Sequence, residues 1–140
     1  MKEVLGLDKT MSNLYEGIDE AIELGVKYAL EDIATYTIDL STPTVDTGAY
    51  ITSFSYGVGA GRPRGKSSEG RPKNQDEVSM ATEGLNNLLN DINNIQDFNR
   101  KDSIILRNGS PHAKAVEEGG ADWRLTQPYK IFSQVRDKYG

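Results

Sequence analysis

Between residues 78 and 95 the apolar side chains Val78, Ala81, Leu85, Leu88, Ile92 and Ile95 are separated by 3, 4, 3, 4 and 3 residues. That spacing places all six on one stripe of an α-helix; a strand, whose side chains change face at every residue, would scatter them over both sides. The segment therefore predicts a helix that buries one side, with Leu89 widening the stripe and the asparagines facing water. A second segment has the same period. From Ser12 to Ile38, apolar residues recur at Leu14, Ile18, Ala21, Ile22, Gly25, Tyr28, Ala29, Ile33 and Tyr36, which predicts one long helix with Ser12 as its N-cap. Pro43 bars helical geometry at the residue before it, so this helix is expected to end near Leu40. Gly17 and Gly25 are unfavourable in a helix interior and imply close packing there.

The strand signals are short. Phe54, Tyr56 and Val58 alternate on one face, and Ser103 to Arg107 predicts a second strand closed by Asn108-Gly109, residues that tolerate positive φ. Asp46 is expected to open a helical turn running to Ser53. Pro111 to Glu118 and Pro128 to Tyr139 predict two further helices with proline at the first position, the last turning Phe132, Val135 and Tyr139 to one side. Together these elements predict an α+β domain spanning 1 to 140: a small sheet packed by a long N-terminal helix, a central helix and a C-terminal helix. Two strands are few for a self-sufficient sheet, so one or two more are expected from the basic segment 59 to 76 or from a neighbouring subunit.

Composition narrows the chemistry. With 140 residues and no cysteine, one core is expected, with neither disulfides nor thiolate metal sites, and the single His112 rules out a histidine cluster. No apolar run reaches the roughly 18 to 20 residues that cross a bilayer, and the N-terminus has no signal-peptide core, so a soluble chain without membrane contact is expected. The formal net charge is −5, but it is unevenly spread. Residues 61 to 74 hold Arg62, Arg64, Lys66, Arg71 and Lys73 against Glu69, a local charge of +4 that leaves −9 elsewhere. Glycines 59, 61, 65 and 70 and prolines 63 and 72 fall in the same stretch. Residues 59 to 76 thus predict a long mobile basic loop, of the kind that is usually functional in a compact domain.

Two short sequences mimic catalytic sites. Ala60 to Ser67, AGRPRGKS, satisfies a loose phosphate-binding loop, but the adjoining SSEGRPKNQD cannot begin a packed helix and no apolar strand ending in Asp supplies a second metal ligand. Asp46-Thr47-Gly48 is the signature of dimeric aspartic proteases, in which two carboxylates share a proton to activate water. The sequence before it, Ser41-Thr42-Pro43-Thr44, is polar and proline-broken rather than an apolar strand, and the two long helices do not suit a nearly all-β enzyme.

In its wider setting, Val45-Asp46-Thr47-Gly48-Ala49-Tyr50-Ile51-Thr52-Ser53-Phe54 resembles the "V-D-T-G-x-L-x-x-S-I" segment of the HK97 gp10-like family of phage neck and tail-completion proteins. Tyr50 stands for its leucine and Phe54 for its isoleucine. Residues 108 to 120, NGSPHAKAVEEGG, resemble that family's second hallmark, "N-x-x-x-Y-A-x-x-V-E-x-G", with His112 at the aromatic position. The order and spacing agree over most of the chain, although the basic segment is longer and the closing TQPYKIFSQVRDKYG lacks the family's Pro-Phe pair.

The resemblance implies a non-enzymatic virion protein without cofactor, built in the host cytoplasm. Its copies would form a homo-oligomeric ring in the neck between head-closure and tail-terminator proteins, with DNA passing through the lumen. On this reading the motif residues are structural. Asp46 caps a turn with Thr47 beside it, Gly48 lets the backbone pass closely, Ser53 bonds back to the turn, and Tyr50 and Phe54 enter the core. Val116 packs inward, Gly119 ends a short helix, and Glu117 is either solvated or paired across a subunit boundary. Trp123 and Arg124 are interface candidates. The alternatives are an aspartic protease and a small nucleic-acid-binding accessory protein.

Overall fold

The computed structural model describes residues 23–45, 48–58, 64–65, 72–95, 104–111, 113–118 and 129–140. It divides into two compact units, Met1–Leu30 and Glu31–Gly140. The fold class is α+β, with helices around a small antiparallel sheet. The Ser12 start of the N-terminal helix lies outside the described residues, but residues 23 to 41 are helical (α1).

In the first unit, Glu23 and Lys27 pair one turn apart at 3.7 Å. Leu24, Gly25, Tyr28 and Ala29 are exposed, so the expected stripe is not buried along its length. A Cβ built at Gly25 finds no described atom within 4 Å. Close packing is thus not what places a glycine there, contrary to expectation.

The second unit opens with residues 31 to 41 of α1, which bury Ala34, Thr37, Ile38 and Ser41. Two of these are polar, and each hydroxyl donates to the carbonyl four residues back: Thr37 to Ile33 and Ser41 to Thr37, both at 2.7 Å. Satisfied in this way, they enter the core without an orphaned group. The helix stops at Ser41, where Pro43 starts a single 3-10 turn, Thr42–Thr44.

Helix α2 spans Glu77–Asn94 and β1 spans Phe54–Val58; β2 spans Ile104–Asn108. Asp76 caps α2, its carboxylate accepting from the Ser79 amide at 2.9 Å and the Ser79 hydroxyl at 2.8 Å. The buried line of α2 is Gly84, Leu88 and Ile92, spaced by four and continuing into the body of the expected stripe. Val78, at the mouth of the helix, is 74% exposed. Asn87 departs from the expectation of solvated asparagines by donating to the Thr52 carbonyl at 3.3 Å.

The two strands pair antiparallel with Phe54 opposite Asn108 and Val58 opposite Ile104. Phe54 and Tyr56 are buried and Val58 is 40% exposed, so the alternation holds until the strand leaves the core. Among the described residues no third strand joins them.

Helix α3 spans Ala113–Glu118 and α4 spans Ile131–Tyr139. Both begin later than the prolines suggested. Pro111 sits in the turn before α3, where Ala113 donates its amide to the Ser110 carbonyl at 3.1 Å. Pro128 lies outside the described residues, and Lys130, with φ of 50°, breaks the helical path immediately before Ile131. The end of α4 rests on α1. The Tyr139 ring meets Tyr36 edge to face at 5.8 Å and its hydroxyl donates to the Asp32 carbonyl at 3.3 Å, while Lys138 Nζ lies 4.1 Å over the Tyr36 ring. The core centres on Phe54, whose ring lies 5.1 Å from Tyr50 and 5.9 Å from Phe132. Ile51, Leu88, Ile92 and Ile131 are also buried, each 1% exposed or less.

Candidate functional site

Of the first motif, Val45 and Gly48 to Phe54 are described, while Asp46 and Thr47 lie outside the described residues. Gly48 has φ of 77°, the left-handed region in which a side chain is strained, and a Cβ there would collide with the Met80 sulfur of α2. Both reasons make it glycine. The chain then winds through two helix-like turns: the Thr52 amide donates to the Gly48 carbonyl at 3.2 Å and the Ser53 amide to Tyr50 at 3.0 Å. The Thr52 and Ser53 hydroxyls close back on the Gly48 and Ala49 carbonyls. Ser53 thus bonds back into the turn as expected, and Tyr50 and Phe54 enter the core, each 2% exposed or less. Burial pushes the Tyr50 phenol well above its ordinary pKa, and the nearby Glu117 carboxylate adds to the shift.

The second motif starts where β2 ends. Asn108 uses both halves of its amide: Nδ2 donates to the Tyr50 carbonyl at 2.8 Å and Oδ1 accepts from the Ser110 amide at 2.9 Å. This one side chain joins the two motifs and bends the backbone towards α3. Gly109 does not use positive φ, contrary to expectation. It is glycine because the Arg64 carbonyl and Gly65 Cα occupy the space of a side chain, and its amide donates to both Ser53 and Arg64 carbonyls at 3.1 Å. Val116 packs inward, 5% exposed.

Glu117 takes neither of its expected roles. Its carboxylate accepts from the Phe132 amide at 2.9 Å, the Ser133 amide at 3.0 Å and the Ser133 hydroxyl at 3.1 Å. These are the exposed donors of the first turn of α4, whose own N-cap residue, Lys130, supplies no side-chain cap. Glu117 therefore caps a helix in another part of the chain, where a negative charge also suits the positive end of the helix dipole. Backbone bonds from Tyr129 to Val116 at 2.9 Å and from Lys130 to Glu117 at 3.2 Å hold the two segments in place. Gly119, Trp123 and Arg124 lie outside the described residues.

Of the basic segment, Arg62, Lys66 and Arg71 lie outside the described residues, and Lys73 is exposed. Arg64 points inward instead of presenting itself to a partner. Its guanidinium pairs with Asp91 of α2 at 2.9 Å and donates to the Phe54 carbonyl at 2.6 Å, while its backbone amide donates to Ser55 Oγ at 3.2 Å. Asp91 was detectable in the sequence: it sits three residues after Leu88, on the apolar side of α2, where a carboxylate requires a partner. Gly84 was detectable by the same logic, as a glycine on a buried stripe.

Scans against protein-family models, curated proteins and solved structures return no match for this chain.

Proposed function

We propose that the chain is a structural subunit of a larger assembly, with no turnover of its own. More particularly, it is a neck or tail-completion subunit of a tailed bacteriophage, forming a ring where the tail joins the head. The observation that supports this most is the use made of the two motifs. Four of their described polar side chains are spent inside the fold: Thr52 and Ser53 on backbone carbonyls, Asn108 on Tyr50 and Ser110, and Glu117 on the start of α4. A framework of this kind fixes the shape of a subunit, which is what a ring component requires, and leaves contacts to the surface.

In this reading Lys73, with Arg62, Lys66 and Arg71, meets an acidic neighbouring protein or the phosphates of DNA in the ring lumen. Head-closure and tail-terminator proteins are the neighbours, and the virion neck is where the chain resides. Deleting the gene tests the proposal. Filled heads and free tails should accumulate unjoined, and adding the purified protein should restore infectious particles. Normal joined particles in its absence would overturn the proposal.

A further inference from the structure

Asn108-Gly109 is the one place in the 140 residues where a glycine follows an asparagine. An asparagine side chain loses ammonia when the next residue's backbone nitrogen attacks its Cγ, and glycine, with no side chain in the way, hinders that approach least. Position 109 must be glycine, because a Cβ there would collide with the Arg64 carbonyl. The packing that requires it also creates the labile pair. The groups that would react are then held in place. The attacking nitrogen, Gly109 N, donates its hydrogen to the Ser53 and Arg64 carbonyls at 3.1 Å each. The leaving group, Asn108 Nδ2, donates to the Tyr50 carbonyl at 2.8 Å, and Oδ1 accepts from the Ser110 amide at 2.9 Å. The Ser110 bond polarises Cγ towards attack, so the restraint lies with the other three bonds. Arg64 is itself fixed, by Asp91 at 2.9 Å and by the Phe54 carbonyl at 2.6 Å, which keeps its own carbonyl against Gly109.

We infer that Asn108 is a latent deamidation site which the fold holds closed, and that its reaction is a one-way mark of opening where residues 53, 64 and 109 meet. Contacts of this kind open locally without global unfolding. Once they do, Gly109 N gives up its proton and bonds to Asn108 Cγ, while the Cγ–Nδ2 bond breaks and Nδ2 leaves with that proton as ammonia. One water then opens the five-membered imide, giving aspartate at 108 or, through the other carbonyl, isoaspartate. The net change is one water in and one ammonia out. Asn108 and Gly109 are half-buried rather than sealed in the core, so water reaches the opened site. Either product weakens the closed state. Aspartate sets a carboxylate oxygen against the Tyr50 carbonyl where a donor stood, and isoaspartate adds a methylene to the main chain where β2 ends. A chain that stays open is thereby withdrawn from the folded pool.

The test incubates the full-length chain at mildly alkaline pH, folded in buffer and unfolded in urea, and follows the tryptic peptide Asn108–Lys114 by mass spectrometry for the change from amide to acid. The folded chain should deamidate at least about tenfold more slowly, since each 1.4 kcal/mol or so of opening cost is a factor of ten. Arg64→Ala, which frees that backbone from Asp91 and Phe54, should react faster than the intact chain while circular dichroism shows it folded. Asp91→Asn, a milder loosening of the same anchor, serves as the second variant, and the comparison of folded with unfolded chain stands without either. Chains deamidated in urea and then diluted should regain less native signal and unfold at lower urea than unreacted ones. Equal rates in the folded and unfolded chain, unchanged rates in the folded variants, or deamidated chains that recover the full midpoint would overturn the inference. It does not rest on the neck assignment, and its readout uses the isolated chain, so the two fail separately.

Discussion

The side-chain amide of Asn108 donates to the backbone carbonyl of Tyr50 over 2.8 Å, across 58 residues of sequence. Its other half accepts the Ser110 amide, so one residue holds the core turn to the strand end and directs the chain into α3. Asn108→Ala should cost about 1 to 2 kcal/mol in urea unfolding, the range for a partly buried hydrogen-bonding group that loses its partner. Asn108→Asp should cost more despite its similar shape, because it sets an acceptor against the Tyr50 carbonyl. Equal costs for the two would show that the donor role carries no weight.

Glu117→Ala should destabilise the chain by about 1 to 2 kcal/mol, the loss of a helix cap. Glu117→Gln, which keeps an acceptor oxygen but no charge, should lose less. The local signature is in α4: amide exchange at Phe132 and Ser133 should quicken in both variants before the rest of the core is affected. If exchange there is unchanged, Glu117 does not cap α4 in solution.

Glycine to alanine should have opposite signs at two helical positions. At Gly25, where a Cβ has open space, alanine should stabilise by up to about 1 kcal/mol. At Gly84 the new methyl would strike the Ile51 carbonyl and press on Ile38 Cδ1. Overpacking of that kind costs about 1 to 3 kcal/mol and outweighs the helix preference. Melting temperatures of the two variants read the signs directly.

Alkali should unfold the chain through Tyr50 and Tyr56. Burial raises both phenols above their ordinary pKa of 10, with Glu117 adding to the first shift and Tyr139 to the second. The unfolded chain releases these protons near pH 10 while the folded one keeps them. Their contribution is therefore complete below pH 10 and is lost as pH rises beyond it, at about 1.4 kcal/mol per pH unit for each group. Urea midpoints between pH 8 and 11 should fall more gently for the Tyr50→Phe, Tyr56→Phe double variant. Identical slopes would refute the assignment.

Much of this fold was legible because it rests on local rules. The spacing of Leu88 and Ile92 fixed the buried side of α2, Pro43 ended α1 within one residue of the expected place, and alternation set Phe54 and Tyr56 inward. Less was legible where a residue answers to something distant. Glu117 reads as a solvated charge until α4 is seen to lack a cap of its own, and Arg64 reads as one more loop cation until Asp91 appears opposite it. Gly109 looked like a turn glycine because Asn-Gly usually marks one; the approach of Arg64 that requires it comes from 45 residues upstream. Local patterns report what a residue can do alone, and these three are defined by partners that only the folded chain brings near.

Whether this chain builds the junction between head and tail is decided by imaging purified particles from a host that carries a tagged copy of the gene. The tag should appear as a ring of density at the neck, in particles whose tails are attached. Tag density on the capsid shell, along the tail tube, or nowhere on the particle would overturn the neck assignment.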